Sequence, residues 1–175
     1  RYHNFKDFIK FPTLGKTHLL NPVQQHIAHP DLEKTRSILD KMKAKDILLY
    51  YPYHSFDYFL DLLREAAIDP NVSHIRCTLY RVASNSHVIK SLITALHNGK
   101  DVTVFIELRA RFDEEANIDW ATALRDEGAR VITGISGLKV HSKLCLITRR
   151  EKGHKIYYGA IGTGNLHEKT ARIYT

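Results

Sequence analysis

The stretch Val140-His141-Ser142-Lys143-Leu144-Cys145-Leu146-Ile147 reads as a β-strand with two phosphate-seeking side chains on one face. Side chains alternate along an extended chain, so His141 and Lys143 point the same way, while Val140, Leu144 and Leu146 supply the opposite, buried side. Twenty-one residues after His141 (162 − 141 = 21) comes Gly162-Thr163-Gly164-Asn165. Its glycines let a ligand approach the backbone, and Thr163 and Asn165 offer hydrogen bonds. Together the two segments predict a phosphate site.

Upstream of that strand, apolar runs alternate with helical periods. Ser37–Lys45 is a short, basic helix candidate, and Asp46–Tyr51 reads as a buried strand closed by Pro52. Ser55 caps a helix through about Ala67, with Phe56, Phe59, Leu60 and Leu63 on its inner face. After the turn Asp69-Pro70-Asn71, His74–Val82 forms a strand, and Ser84 and Ser86 open a helix that Asn98-Gly99 stops. Asp101–Leu108 is a nearly continuous apolar strand, Ile118–Glu127 a helix ended by Gly128, and Ala129–Thr133 a further strand. Arg149–Lys155 then looks like a hairpin turn into Ile156–Ile161. The order predicts an α/β fold with right-handed βαβ units and a mixed, mostly parallel sheet, flanked by helices and covered on both faces. Residues 1–30 lack a sustained period and are expected to be an irregular leading segment, with 31–175 forming the domain.

A chain of 175 residues is long enough to bury a real core. Its 43% hydrophobic and 26% charged residues are the balance of a soluble globular protein, not of a disordered or fibrous one. No apolar run reaches the roughly 20 residues that span a bilayer, and Arg1-Tyr2-His3-Asn4 lacks the plan of a signal peptide. The expectation is an intracellular chain cut from something longer. Cys77 and Cys145 sit inside apolar runs, which suits buried thiols better than a disulfide, and no cysteine spacing suits a metal. A formal charge of +7 and a pI near 9.4 favour a polyanionic partner.

Two arginines emerge where strands give way to loops, Arg81 after Thr78-Leu79-Tyr80 and Arg111 after Glu107-Leu108-Arg109-Ala110. A guanidinium stays charged at any working pH and grips phosphate oxygens with a fork of donors. Arg109 has the same chemistry but the opposite face by alternation. Asp113, Glu114 and Glu115 are better read as complements to a helix N-terminus than as magnesium ligands.

His-x-Lys followed by Gly-Thr-x-Asn is similar to the half-site signature of the phospholipase D superfamily, where the histidine attacks phosphorus and becomes a phosphohistidine. The Asp usual in that superfamily five residues after the Lys is Thr148 here, a departure that points away from its hydrolases. The segments Thr78–Ser84, Glu107–Ile118, Val140–Ile147 and Gly162–Thr175 resemble the polyphosphate kinase family, of the long-chain-synthesising type. The runs Ile161–Asn165 and Glu168–Thr175 are the most specific part of that likeness.

The resemblance implies the first of that family's two C-terminal phospholipase-D-like domains. The implied reaction is ATP:polyphosphate phosphotransfer, reversible and through a phosphohistidine, in a bacterial protein that is cytoplasmic or peripherally membrane-associated. It places the nucleophile at His141, the magnesium site at Arg81 and Arg111, and an adenine contact at Tyr174. An arginine has no lone pair for a metal, so Mg2+ is expected on the phosphate oxygens with the guanidiniums beside them. Lys143 and Asn165 then steady the transferring oxygens. Implied partners are ATP or ADP, inorganic polyphosphate, the rest of the polypeptide and further copies of it, with no nucleic acid. A second complete half, His-x-Lys followed by Gly-Thr-x-Asn, is absent from this sequence, so the chain is expected to supply half a site and to be inactive alone. Two other readings use the same residues: a dimeric phosphodiesterase of the phospholipase D type, and a non-catalytic polyanion-binding module.

Overall fold

The computed structural model describes residues 4, 5, 8, 11–22, 24–83, 85–108, 110, 114–135 and 137–173. Helix α1, Ile38–Ala44, starts where Ser37 accepts from the Asp40 amide at 3.0 Å. Helix α2, Asp57–Ile68, braces that start, because its Glu65 carboxylate accepts from Ser37 Oγ and from the Ile38 amide at 2.7 Å. The donors a helix leaves unpaired at its first turn are thus met from a neighbouring helix. Ser55 accepts from the Asp57 amide at 3.1 Å, and Phe56, Phe59, Leu60 and Leu63 are buried as their spacing predicts.

Strand β1, Val72–Leu79, leads to helix α3, His87–His97, whose N-cap is Ser86; Ser84 lies outside the described residues. Strand β2, Asp101–Ile106, helix α4, Glu114–Asp126, and strand β3, Arg130–Thr133, follow. Strands β4, Lys143–Glu151, and β5, His154–Gly162, close the sequence of strands. Lys152 and Gly153 join them at φ of 47° and 84°, a two-residue turn of the left-handed kind that matches hairpin twist.

The sheet order is β3-β2-β1-β4-β5. Strand β1 pairs parallel with β2, and β2 with β3, while β4 pairs antiparallel with both β1 and β5. Four strands therefore run one way and β4 alone runs against them, the mixed and mostly parallel sheet that the order of elements predicts. The core lies on one face, where Ile75, Cys77, Leu79, Val102, Val104, Ile106, Cys145 and Ile147 are buried. Cys77 and Cys145 are free and face each other across the β1–β4 rung.

Three expectations are corrected. The helices pack one against the next as a single layer on that core face, so the sheet is not covered on both faces. The reason is the direction of travel: two successive right-handed crossovers, β1 to β2 and β2 to β3, step the same way and leave their helices on the same side. Residues 46–51 form no strand; Ile47, Leu49 and Tyr51 pack on the core while Leu48 is exposed, an apolar alternation without a strand to pair with. Finally, β4 begins at Lys143, leaving His141 in the preceding loop. The buried phase of β4 is Lys143, Cys145 and Ile147, with Leu144 and Leu146 only half-buried, the reverse of the predicted sidedness.

Candidate active site

The C-terminal ends of β1, β2 and β5 and the start of β4 meet at one edge of the sheet, since Lys143 pairs with Gly162 and Leu79 with Ile106. Three side chains fix the loop that carries His141. Thr78 Oγ donates to the Ser142 carbonyl at 2.6 Å and accepts from the Leu144 amide at 2.9 Å, tying the start of β4 to β1. Glu107, buried just past β2, accepts from the Val140 amide at 2.9 Å. Asn117, fully buried on α4, donates from Nδ2 to the carbonyls of Tyr80 and Glu107, each at 2.9 Å. Buried polar groups of this kind are costly unless paired, and here the pairing holds two strand ends in register.

Within that frame His141 is exposed, and its ring meets the ring of Tyr80 edge-on, 5.1 Å between centroids at 74°. Lys143 is only 5% exposed. Its ammonium donates to the His141 carbonyl and lies 5.1 Å from the centroid of the Tyr80 ring. Among the described residues no carboxylate pairs with it. Burial lowers its pKa below the ordinary lysine value of 10.5, because a low-dielectric setting disfavours the charged form. A phosphate oxygen brought to this ammonium would supply the missing counter-charge.

The glycine turn leaves β5 beside Lys143. Asn165 follows three residues after the Lys143–Gly162 rung, and its buried Oδ1 has no hydrogen-bond partner among the described residues. The chain beyond the turn is held by Glu168, whose carboxylate accepts from Ser86 Oγ at 3.1 Å and from the His87 amide at 2.6 Å, capping α3 from outside. Arg81 follows Tyr80 directly, two residues past the end of β1, and is half-buried. The structure thus brings His141, Lys143, Arg81 and the glycine turn to one sheet edge; Arg111 and Tyr174 lie outside the described residues.

Sequence reasoning missed Tyr80, Glu107, Asn117 and Glu168 as parts of this framework. Their partners lie far along the chain, as in the 33 residues between Glu107 and Val140, so no local pattern marks them. A cavity of about 820 Å³ opens elsewhere, between α1, α2 and β5, with Ile38, Met42, Phe59, Leu62 and Tyr158 among its walls. The glycine turn borders it, but neither His141 nor Lys143 does. The described residues include no group of three or more His, Cys, Asp or Glu able to hold a metal, and a guanidinium such as that of Arg81 cannot ligate one. The described side chains therefore offer no all-protein cage for a metal ion. No described helix is long and apolar enough to cross a membrane.

By architecture this is a mixed α/β domain with its helices layered on a five-stranded sheet. Residues 37–175 match the family model described as polyphosphate kinase C-terminal domain 1. The chain belongs to the polyphosphate kinase family. It is 55% identical over its whole length to a polyphosphate kinase of Vibrio parahaemolyticus and 53% identical to one of Escherichia coli K12. It spans 25% and 26% of those two proteins. The crystal structure of polyphosphate kinase from Porphyromonas gingivalis superposes with a TM-score of 0.81 at 40% identity, over 98% of this chain and 29% of that one.

Proposed function

We propose that this chain supplies one half of the active site of an ATP:polyphosphate phosphotransferase that works through a phosphohistidine at His141. The observation that carries the reading is a buried ammonium, Lys143, without a carboxylate partner among the described residues and next to a solvent-facing imidazole. An anion-seeking charge beside an accessible nucleophile is what phosphoryl transfer needs, since that chemistry depends mainly on positioning and charge stabilisation.

An imidazole nitrogen of His141 attacks the terminal phosphorus of ATP, the bond from that phosphorus to the bridging oxygen breaks, and ADP leaves with the electron pair. A terminal oxygen of polyphosphate then attacks the phosphorus and the P–N bond breaks, returning the imidazole; each step is reversible. Lys143 neutralises charge on the transferring oxygens, and Asn165 orients them. Arg81 and Arg111 grip flanking phosphates, and Tyr174 contacts the adenine. Magnesium arriving with the nucleotide would lie beside Arg81 and Arg111 and would supply further charge neutralisation there. The remaining domains of the polypeptide complete the site, with residues 31–175 as the catalytic unit behind a leading segment at 1–30, in a cytoplasmic homo-oligomer.

The test is incubation of the full-length enzyme with γ-labelled ATP. Acid-labile label is expected on the wild-type protein and none on His141→Ala. Hydrolysis of a phosphodiester without labelling would instead establish the phospholipase-D-type reading, and ATP binding without either reaction the polyanion-binding one.

A further inference from the structure

We infer that Tyr80 is a positioning residue for the proposed phosphotransfer, its ring holding the Lys143 ammonium and the His141 imidazole in one shared arrangement. The inference rests on the reading of His141 as the nucleophile. Two independent contacts converge on the one ring: the ammonium 5.1 Å from its centroid, and the imidazole edge-on at 5.1 Å. The backbone beneath it is fixed as well, since Asn117 Nδ2 donates to the Tyr80 carbonyl at 2.9 Å and, equally, to that of Glu107. Glu107 in turn holds the Val140 amide, one residue before His141. The platform and the loop it steadies are therefore anchored by the same network.

The choice of a ring has a chemical logic. Lys143 has four rotatable carbons, and a carboxylate partner would both fix the ammonium and cancel the charge that the reaction requires. An aromatic face attracts the cation through its quadrupole while leaving the net charge intact, and releases it to a stronger anion. The phenolic oxygen of Tyr80 makes no hydrogen bond to a described residue, so the ring carries the effect and the hydroxyl does not. Tyr80 touches neither substrate nor transferring atoms in this role; it acts through its two neighbours.

The experiment uses the full-length enzyme with Tyr80→Phe, Tyr80→Leu, and phenylalanines bearing increasing numbers of ring fluorines at position 80. Fluorine withdraws electron density from the ring face with little change of shape, so folding is preserved even where leucine is not tolerated. Tyr80→Phe is expected to keep kcat within about twofold. The fluorinated series is expected to lower kcat stepwise, and Tyr80→Leu to lower it about 3- to 30-fold with KM for ATP within about twofold, the range to which a cation–π contact of ordinary strength converts. A kcat that is flat across the fluorinated series, a Tyr80→Phe variant as impaired as Tyr80→Leu, or a loss confined to KM would overturn the inference. Retention of acid-labile label in His141→Ala would instead remove the phosphohistidine reading on which it rests. Label that depends on His141 but is indifferent to ring fluorination removes the Tyr80 role alone.

Discussion

Lys143 and Arg149 stand six residues apart on β4 (149 − 143 = 6), one at each end of the strand, and their surroundings differ in one respect. Arg149 is saturated with acids: its guanidinium reaches Asp69 at 2.7 Å, Glu151 at 2.9 Å and Asp40 at 3.7 Å. Glu151 is itself shared with Lys43 at 2.6 Å and with the Tyr158 hydroxyl. Lys143, the more deeply buried cation, has a carbonyl and an aromatic ring and no described carboxylate. One end of the strand is electrostatically closed, and at the other the buried ammonium has no carboxylate partner among the described residues. Desolvated ions without a counter-ion are expensive, and that cost is what supports the proposal of an anion site at this end.

Substitutions at the two ends should therefore fail in different ways. The largest effect is expected from Lys143→Met in the full-length enzyme, where kcat falls by about 100- to 1,000-fold, the scale on which a charge-stabilising donor acts. Thermal stability should hardly change, because the substitution replaces a buried, poorly compensated ion with an apolar side chain of similar length. Steady-state kinetics beside a thermal melt separates the two quantities. A melt that drops steeply in Lys143→Met would erase the contrast.

At the other end, Arg149→Met should cost about 2–3 kcal/mol of stability, since Asp69 and Glu151 lose a shared hydrogen-bonded cation. Activity per folded molecule should stay within about twofold, as Arg149 lies a strand's length from His141. Denaturant unfolding paired with activity at a permissive temperature reads both. The smallest effect is in acid. Lys43 first, and the Tyr158 hydroxyl next, hold the Glu151 carboxyl down at about 2, against its ordinary 4.5. A depressed acid contributes stability that is fully present above its ordinary pKa and is lost as pH falls through the folded value. The Arg149–Glu151 cluster should then weaken between about pH 4.5 and 2, and Glu151→Gln should flatten that part of a stability–pH curve.

What the sequence made legible was whatever repeats locally. The serines at 37 and 86 cap helices where the apolar period begins, Gly99 and Gly128 end helices at φ of 72° and 93°, and the five strands that form fall within a few residues of their expected bounds, while the one expected at 46–51 does not form. Helix α4 starts four residues before Ile118 because its first turn is polar: Asn117 is fully buried for its hydrogen bonds, while Ile118 is exposed, which inverts the pattern that apolar spacing relies on. At the site, the His-x-Lys and Gly-Thr-x-Asn segments were visible and do meet, across the Lys143–Gly162 rung. The alternation argument failed for His141, since the loop ahead of β4 is not extended into the ladder and Lys143 turns inward. Tyr80 could not be found from its neighbours in sequence, because the groups it touches lie 61 and 63 residues away (141 − 80 and 143 − 80).

The hairpin at Lys152 and Gly153 governs more than a change of direction. With only two residues at the bend, the turn indexes every rung of β4 against β5, from Glu151 opposite His154 to Lys143 opposite Gly162. A bend some 31–34 Å from Lys143, at about 3.4 Å per residue, therefore acts as a vernier for the proposed site. A residue added there and not absorbed as a longer loop or a bulge would slide the glycine loop past the lysine by a single notch, moving the proposed site residues out of alignment while leaving each of them intact.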